Sequence, residues 1–223
     1  MSNPLFNEGL YCFNKPLGWT SFDVVNWVKH RATTKKVGHA GTLDPAAEGL
    51  LLVAVGRAHT KNIDLLSTQD KEYIFEITFG IVTDTYDREG KTIRESTGFT
   101  ITQEQFTQAL QTFLGPQQQV PPMYSAIKKD GQKLYDLARK GIEIERAPRA
   151  IIIHELEQLS FTGNTASVRT VCSKGTYIRS LCYDIGENLR VGAHMSKLTR
   201  TRIGEYTLNA DCLVPTSTPR RKE

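Results

Sequence analysis

Six consecutive apolar residues, Leu50-Leu51-Leu52-Val53-Ala54-Val55, follow a glycine-rich segment that contains one aspartate before a proline. A short apolar run of this kind is typical of a strand that is buried on both faces. Pro45 disfavours helical backbone at Asp44, so we expect Asp44 on an extended loop that the buried strand supports. Such a loop is a common way to present a catalytic acid, although an Asp-Pro pair more often only starts a turn. Both interpretations of Asp44 stay open at this point.

Length and composition indicate an ordinary soluble protein. A chain of 223 residues can bury a large core as one domain, or as one domain with an appendage. The N-terminus does not resemble a secretory signal, and no apolar stretch is long enough to span a bilayer. The four cysteines are scattered, which predicts buried thiols in a reducing compartment. We therefore expect a cytoplasmic protein, and a monomer, since no oligomerisation heptad is evident.

The pattern of elements favours an α+β fold on a mixed, mostly antiparallel sheet flanked by helices. Residues 71–79 alternate between apolar and polar, which predicts a strand with Tyr73 on its apolar face. Thr102 and Gln105 form a capping box, which predicts a helix that Gly115 and Pro116 end before a loop over 117–122. Helices and strands mix without regular alternation along the chain, which favours this class.

Other elements follow from weaker patterns. Ser21 is predicted to cap a helix that reaches about Arg31, with Phe22, Val25 and Val28 on its apolar side. Further helices are expected near 60–67, 134–140 and 178–189, and strands near 10–13, 150–161, 165–172 and 195–208. We expect one domain over 1–212 with an inserted segment at about 116–149, and a disordered basic tail over 213–223.

Metal and nucleotide cofactors are not expected. The five histidines lack ligand-like spacing, and no paired-cysteine motif occurs. The segment Gly38-His39-Ala40-Gly41 has neither the lysine of a phosphate-binding loop nor the dinucleotide pattern. We therefore predict chemistry that needs neither kind of cofactor.

Three features each allow a structural and a functional interpretation. Arg179 in the first turn of a helix is either a solvated residue or a guanidinium aimed at a carboxylate. Tyr73 either packs in the sheet or projects from the strand end to stack on a base. The basic segment between Lys128 and Lys140 is either a solvated arm or a contact for a phosphate backbone. A net charge of +4 is too small to decide between these.

Taken together, these segments resemble the TruB family of tRNA pseudouridine-55 synthases over nearly the whole chain. The similar segments are Lys15-Pro16-Leu17-Gly18-Trp19-Thr20-Ser21, Gly38-His39-Ala40-Gly41-Thr42-Leu43-Asp44-Pro45, Pro121-Pro122-Met123-Tyr124-Ser125-Ala126-Ile127-Lys128, Gly175-Thr176-Tyr177-Ile178-Arg179-Ser180-Leu181 and Leu198-Thr199-Arg200-Thr201-Arg202-Ile203-Gly204. Five motifs in order are specific, whereas any one of them could occur by chance.

The chain departs from the family pattern at two places. Glu48 stands where the loops of the family usually carry threonine, close to the active site, so a detail of the pocket is expected to differ. The sequence also ends at residue 223, where many bacterial members continue into a small RNA-binding PUA domain. We expect that difference to affect the grip on the acceptor side of tRNA and not the chemistry.

The resemblance implies a reaction and roles for individual residues. A uridine in the T loop of tRNA is flipped out and isomerised to pseudouridine, without a cofactor or a metal. Asp44 is implied as the catalytic carboxylate, Arg179 as the cation that keeps it ionised, and Tyr73 as the ring that stacks on the uracil and aids removal of the C5 proton. The implied substrate-binding residues are His39, which fills the vacated stack, Leu198 as an apolar wall, Tyr177, and the phosphate contacts Lys15, Lys128, Lys129, Arg139 and Lys174.

Two other functions remain as alternatives. A non-catalytic RNA-binding or RNA-folding module could use the same basic surface. A metal-dependent nuclease would need a cluster of acids, and the key loop offers only Glu48 besides Asp44.

Overall fold

The predicted α+β class is confirmed, because a mixed and mostly antiparallel sheet is flanked by helices. The computed structural model describes residues 5–125, 127–129, 131–138 and 140–216, without the side chains of Lys128, Lys129 and Lys133. The chain divides into two compact units, one of Met1–Ile74 with Leu198–Glu223 and the other of Phe75–Lys197. Each unit is built around its own part of the sheet.

The described helices are α1 Ser21–Lys29, α2 Arg57–Thr60, α3 Ile63–Thr68, α4 Gln103–Thr112, α5 Leu134–Ala138 and α6 Ile178–Asn188. The described strands are β1 Gly9–Lys15, β2 Val37–Ala40, β3 Glu48–Val55, β4 Lys71–Phe79, β5 Ile81–Thr83, β6 Thr92–Glu95, β7 Gly115–Gln119, β8 Lys128–Lys129, β9 Gln132–Lys133, β10 Arg149–Phe161, β11 Thr165–Cys172, β12 Ala193–Ile203 and β13 Tyr206–Thr207. Strands β4 and β12 each begin in one unit and end in the other.

In the first unit, β3 is the buried strand that the apolar run predicted. It pairs antiparallel with β1 and β2 and parallel with β12. Its alternate side chains enter two different cores, which explains why no polar residue interrupts the run. The core on the side of helix α1 contains Phe6, Phe13, Trp19, Val24, Val28, Leu51, Val53 and Val55. The opposite core contains Ala40, Leu50, Leu52, Ile203 and Cys212.

Helix α1 differs from its prediction in its cap, its end and one apolar position. Thr20, and not Ser21, is the N-cap, and it forms a capping box with Asp23. The helix ends at Lys29, and Phe22 is exposed instead of joining the buried valines. Ser21 does not cap because its hydroxyl is engaged by a distant backbone segment, described below.

The helix predicted near 60–67 is instead two short helices. Helix α2 ends at Thr60, and α3 begins at Ile63 after Asn62, whose φ of −94° and ψ of 0° interrupt the helical geometry. The prediction of a disordered tail over 213–223 falls mostly on residues that lie outside the described part of the chain. Leu213 itself is ordered against β1, where its N–H donates to the Cys12 carbonyl and its carbonyl accepts from the Asn14 N–H, both at 2.9 Å.

In the second unit, β4, β11, β10 and β7 follow one another across the sheet. The alternation predicted for β4 is confirmed, and the capping box of Thr102 and Gln105 begins α4 as predicted. The loop predicted over 117–122 is wrong in its first part. Residues 115–119 form β7 because they pair antiparallel with Arg149–Ile153, far along the chain, and the local run of glutamines carries no signal for that pairing.

Gly49 offers a test of close backbone packing in the first unit. Its φ is +106°, and a Cβ there would lie 2.4 Å from the carbonyl oxygen of Arg200. Gly18 also has a positive φ, of +80°, but a Cβ there would meet nothing within 4 Å. We expect Gly18→Ala to lower the free energy of unfolding by about 1–2 kcal/mol through backbone strain alone. Gly49→Ala should lose roughly 1–3 kcal/mol more, since β3 and β12 must separate.

Urea denaturation of both variants and the parent protein measures these differences. Equal losses in the two variants would show that the contact between Gly49 and Arg200 is not sterically tight.

Candidate active site

Asp44 lies on an irregular segment between β2 and β3, outside any helix, as the sequence predicted. The segment also turns, because the Ala47 N–H donates to the Asp44 carbonyl at 3.1 Å. A second backbone contact joins it to the preceding motif, where the Gly18 N–H donates to the Pro45 carbonyl at 2.8 Å. The half-buried carboxylate of Asp44 is thus carried on a braced turn, and the turn and functional interpretations are compatible.

Ser21 fixes the residue next to Asp44. Its buried hydroxyl accepts a hydrogen bond from the Leu43 N–H at 2.8 Å and donates one to the Leu43 carbonyl at 3.1 Å. One side chain therefore satisfies both backbone groups of a buried loop residue that has no strand partner. This contact orients the backbone directly before Asp44.

Arg200 of β12 is a buried cation that holds both ends of the same loop. It is 1% exposed, and its Nε donates to the Leu50 carbonyl at 2.8 Å. Its two terminal nitrogens donate to the carbonyls of Gly41 at 3.0 Å and Thr42 at 3.4 Å. The sequence placed Arg200 in a motif but gave no signal for this role, which depends on contacts between residues 150 or more positions apart.

Lys15 is also buried beside the loop, and this differs from the exposed phosphate contact predicted for it. The side chain is 0% exposed, and Nζ donates to the carbonyls of Trp19 at 2.6 Å and Pro16 at 3.0 Å. Burial lowers the pKa of Lys15 to about 8, an effect that the negative charge of Asp44 opposes and the positive charge of Arg200 reinforces. Lys15 is therefore an internal cation in the electrostatic neighbourhood of Asp44.

Glu48, the departure from the family pattern, begins β3. Its exposed carboxylate accepts a hydrogen bond from the Thr199 hydroxyl at 3.4 Å. Its negative charge also raises the pKa of Lys15, more weakly than Asp44 does. Glu48 therefore adds a negative charge near the loop.

Three other predicted residues lie in the first unit. His39 is half-buried on β2, and burial, followed by the charge of Arg200, lowers the pKa of its imidazole. The ring is thus biased towards its neutral form. Tyr73 and Leu198 are both 8% exposed and lie on the neighbouring strands β4 and β12.

In the second unit, Arg179 is buried at the start of α6, so the solvated alternative is excluded. Its guanidinium donates to the carbonyls of Thr85 at 3.0 Å and Tyr124 at 2.9 Å. It also lies 3.7 Å from the carboxylate of Asp87. The pairing of Arg179 with Asp44, which belongs to the other unit, stays a prediction.

Asp87 is a buried acid that the sequence analysis did not select. It is 6% exposed, and Oδ1 accepts hydrogen bonds from the Thr85 hydroxyl at 2.6 Å and from the Glu89 N–H at 3.0 Å. Residues 87–90 form a turn, in which the Gly90 N–H donates to the Asp87 carbonyl at 3.3 Å. The residues around Asp87 are polar, so the local sequence does not predict that this acid is buried.

Gln119 anchors the N-terminus of α6, where Tyr177 is the N-cap. The Gln119 amide accepts from the Tyr177 N–H at 2.8 Å and donates to the Tyr177 carbonyl at 3.0 Å. This pair of bonds fixes the backbone two residues before Arg179. Gln119 was missed because it lies on β7, which the sequence had predicted to be a loop.

Three of the five predicted phosphate contacts belong to the basic segment. Arg139 and the side chains of Lys128 and Lys129 lie outside the described residues. Lys174 is exposed in the turn before α6.

Over residues 5–125, 127–129, 131–138 and 140–216, no group of three or more potential metal ligands occurs. Among those residues no helix is both long enough and apolar enough to cross a membrane.

Comparisons with known proteins connect this chain to a family. A family model described as TruB family pseudouridylate synthase (N terminal domain) matches residues 29–178, and one described as tRNA pseudouridylate synthase B C-terminal domain matches residues 179–216. The chain is 52% identical to tRNA pseudouridine synthase B of Fusobacterium nucleatum subsp. nucleatum, over 90% of this chain and 69% of the relative. It is 49% identical to the protein of that name from Protochlamydia amoebophila, over 94% and 79% respectively.

Solved structures show the same fold. A chain in the crystal structure of a Cbf5-Nop10-Gar1 complex matches with a TM-score of 0.72 and 31% identity, covering 92% of this chain and 52% of the solved one. A chain in the structure of an H/ACA RNP bound to a substrate RNA containing 2′-deoxyuridine matches with a TM-score of 0.68 and 28% identity, covering 92% and 50%. The present chain therefore spans about half the length of these solved chains.

The lowered pKa of Lys15 predicts a dependence of stability on pH. Between pH 8 and the ordinary lysine value of 10.5, the unfolded chain binds more protons at this position than the folded chain does. The contribution of Lys15 to stability is therefore least favourable below pH 8 and improves as the pH rises towards 10.5. In Lys15→Met this change is absent, so the parent protein should gain stability relative to the variant between pH 7 and pH 10.

Urea denaturation of the parent protein and of Lys15→Met at pH 7 and pH 10 measures this change in stability. Subtracting the free energy of unfolding of the variant from that of the parent removes the contribution of the other titrating groups. Lys61→Met, at an exposed position of the same unit, is the matched control for the loss of a lysine. A pH-independent difference for Lys15→Met would contradict the prediction.

The burial of the Arg179–Asp87 pair predicts a large cost when only one partner is removed. Arg179→Met leaves a carboxylate that is 6% exposed without its cation, and should lower the free energy of unfolding by about 3 kcal/mol or more. Arg169→Met is the matched control, because Arg169 contacts the exposed carboxylates of Glu155 and Glu157 on the surface of the same unit. The control should lose at most about 1 kcal/mol. Similar losses in both variants, by thermal or urea denaturation, would contradict the assignment of a buried pair.

Proposed function

The chain belongs to the TruB family of pseudouridylate synthases, and we propose on that basis that it isomerises uridine 55 in the T loop of tRNA to pseudouridine, with Asp44 as the catalytic carboxylate. Family membership supports an RNA pseudouridine synthase. The choice of position 55 follows from the family resemblance, and the choice of Asp44 from its motif and its surroundings.

The contacts that hold the loop of Asp44 are the main support for its catalytic role. Ser21 binds the backbone at Leu43, and Arg200 binds the carbonyls of Gly41 and Thr42. Lys15 adds a second buried positive charge whose pKa responds to Asp44. A fixed loop keeps the carboxylate of Asp44 in one place.

An ionised carboxylate is what the reaction requires at its start. The bond between N1 and C1′ breaks, the base turns, and a bond between C5 and C1′ forms, while the C5 proton is lost and N1 gains a proton. Substrate and product are isomers, so the reaction is balanced without an oxidant or an energy source. Three first steps for Asp44 remain open: attack on C1′, attack on C6 and removal of the C2′ proton. Each of them begins from the deprotonated acid.

Base flipping is proposed because Tyr73 and Leu198 are almost fully buried. A uridine that is stacked inside an RNA loop cannot reach such side chains, so the nucleotide must leave the stack, at a cost of a few kcal/mol. Tyr73 would then stack on the uracil, with Leu198 as an apolar wall. His39, with its neutral ring, is suited to fill the vacated position, because a neutral ring stacks between bases without a charge to hydrate.

Arg179 is proposed to be the cation that favours the ionised form of Asp44. Its buried guanidinium is already oriented by Thr85, Tyr124 and Asp87. The phosphate backbone of tRNA is proposed to contact Lys128, Lys129, Arg139 and Lys174, and Tyr177 to contact the substrate near the start of α6. We propose that the protein acts as a cytoplasmic monomer.

Asp44→Asn separates catalysis from binding. The amide keeps the shape of the side chain but cannot be ionised, so pseudouridine formation should fall by roughly 10²- to 10⁴-fold or more. The affinity for tRNA should stay within about twofold of the parent value, because phosphate contacts dominate affinity for nucleic acids. The assay uses an unmodified tRNA transcript with a chelator and no added cofactor, followed by mapping of pseudouridine.

Asp64→Asn, at an exposed acid of helix α3, is the control and should react at the parent rate. A transcript with cytidine at position 55 should yield no pseudouridine. Modification that persists in Asp44→Asn would rule out the catalytic role of this residue. Cleavage of RNA that the chelator abolishes would instead favour a metal-dependent nuclease.

A further inference from the structure

One face of helix α6 contacts the turn that carries Asp87 at two adjacent points. Arg179 and Tyr183 are four residues apart in α6 and therefore lie on the same face of the helix. Arg179 contacts Thr85 and Asp87. The ring of Tyr183 stacks on the ring of Tyr86, with their centroids 4.1 Å apart and their planes inclined by 18°. Tyr86, which lies between Thr85 and Asp87 in the sequence, is thus held by a separate aromatic contact.

Tyr86 has a backbone conformation that tyrosine disfavours. Its φ is +61°, in the left-handed region, where a Cβ approaches the following carbonyl oxygen. Two hydrogen bonds hold this backbone: the Tyr86 N–H donates to the Thr83 carbonyl at 3.2 Å, and the Met195 N–H donates to the Tyr86 carbonyl at 3.0 Å. Strain at a residue other than glycine persists only where its surroundings enforce it. Here the enforced residue directly precedes the acid that faces Arg179.

The two stacked rings carry no charge near pH 7. Burial raises the pKa of the hydroxyls of both Tyr86 and Tyr183 above the ordinary value of 10.0, so both are neutral near pH 7. Offset stacking of two rings depends on their faces, which phenylalanine also supplies. Phenylalanine at either position should therefore preserve the contact, whereas leucine should not.

We propose that the Tyr86–Tyr183 stack is a positioning device for the isomerisation, because it holds Tyr86 in its left-handed conformation and so aligns Asp87 with Arg179. The inference rests on the proposed function, since it gives the turn a part in uridine isomerisation. Tyr86 and Tyr183 are positioning residues that act through the Asp87–Arg179 pair. Displacement of a reacting group by about 1 Å can slow a reaction by roughly a hundredfold, so a modest shift of the turn is sufficient.

The test is the single-turnover rate constant for pseudouridine formation in unmodified tRNA with enzyme in excess. Tyr86→Leu and Tyr183→Leu remove the stack, and each should slow the reaction by roughly tenfold or more while the Kd for tRNA stays within about twofold. Tyr86→Phe and Tyr183→Phe keep both rings and should react at the parent rate. The double leucine variant should be no slower than either single variant, because both substitutions remove one shared contact.

Tyr86→Gly separates the ring from the strained backbone. Glycine adopts a positive φ without cost, so this variant is expected to fold even if Tyr86→Leu does not. It should be as slow as the leucine variants, because glycine also adopts other φ values freely and the turn has lost the aromatic contact with α6 that selects the left-handed conformation. A Tyr86→Gly enzyme that reacts at the parent rate would overturn the proposal.

A second stack in the same unit provides the matched control. Phe106 and Phe161 have centroids 4.7 Å apart and an interplanar angle of 13°. Phe161→Leu should lower the Tm but leave the rate constant of the folded enzyme unchanged. The proposal fails if the folded leucine variants of Tyr86 and Tyr183 lose no more rate than Phe161→Leu does. A parent protein that makes no pseudouridine would refute the proposed function itself, whereas a normal parent rate with unaffected variants refutes only the positioning role.

Discussion

Buried positive charge is the constraint on which the arrangement of the first unit depends. A guanidinium removed from water is costly unless acceptors satisfy its donors, and Arg200 finds them in the carbonyls of Gly41, Thr42 and Leu50. Because the cation needs acceptors and these carbonyls need donors, each holds the other in place. Lys15 follows the same rule with two carbonyls of its own turn. The loop of Asp44 cannot move without exposing or unpairing a buried charge.

The second unit uses the same device at a different point of the fold. Arg179 donates to carbonyls of two irregular segments, at Thr85 and Tyr124, and faces a buried acid as well. Irregular segments leave backbone carbonyls without partners in a helix or sheet, and a multidentate donor can satisfy several of them at once. In both units a buried arginine therefore holds irregular backbone that carries side chains of the proposed site. The proposed enzyme gains a fixed site on loops that have little regular structure of their own.

Much of the fold could be predicted from the sequence where the signal is local. The apolar run of β3, the alternation of β4 and the capping box of α4 all depend on neighbouring residues, and all three are confirmed. Strand β7 was missed because its pairing partner lies far along the chain. The burial of Lys15 and the partner of Arg179 at Asp87 were missed for a related reason. A charged residue is expected at the surface, and only the folded turn shows which carbonyls and carboxylates meet it.

The return of Leu213 to β1 has a consequence for aggregation. Strand β1 is the outermost strand on its side of the sheet, and such a strand presents unpaired N–H and carbonyl groups to any neighbouring molecule. Leu213 occupies two of these groups, on Cys12 and Asn14. A few residues near the end of the described chain thus shield a template for intermolecular strand addition. Solubility at high concentration is in this way linked to a segment that takes no part in the proposed chemistry.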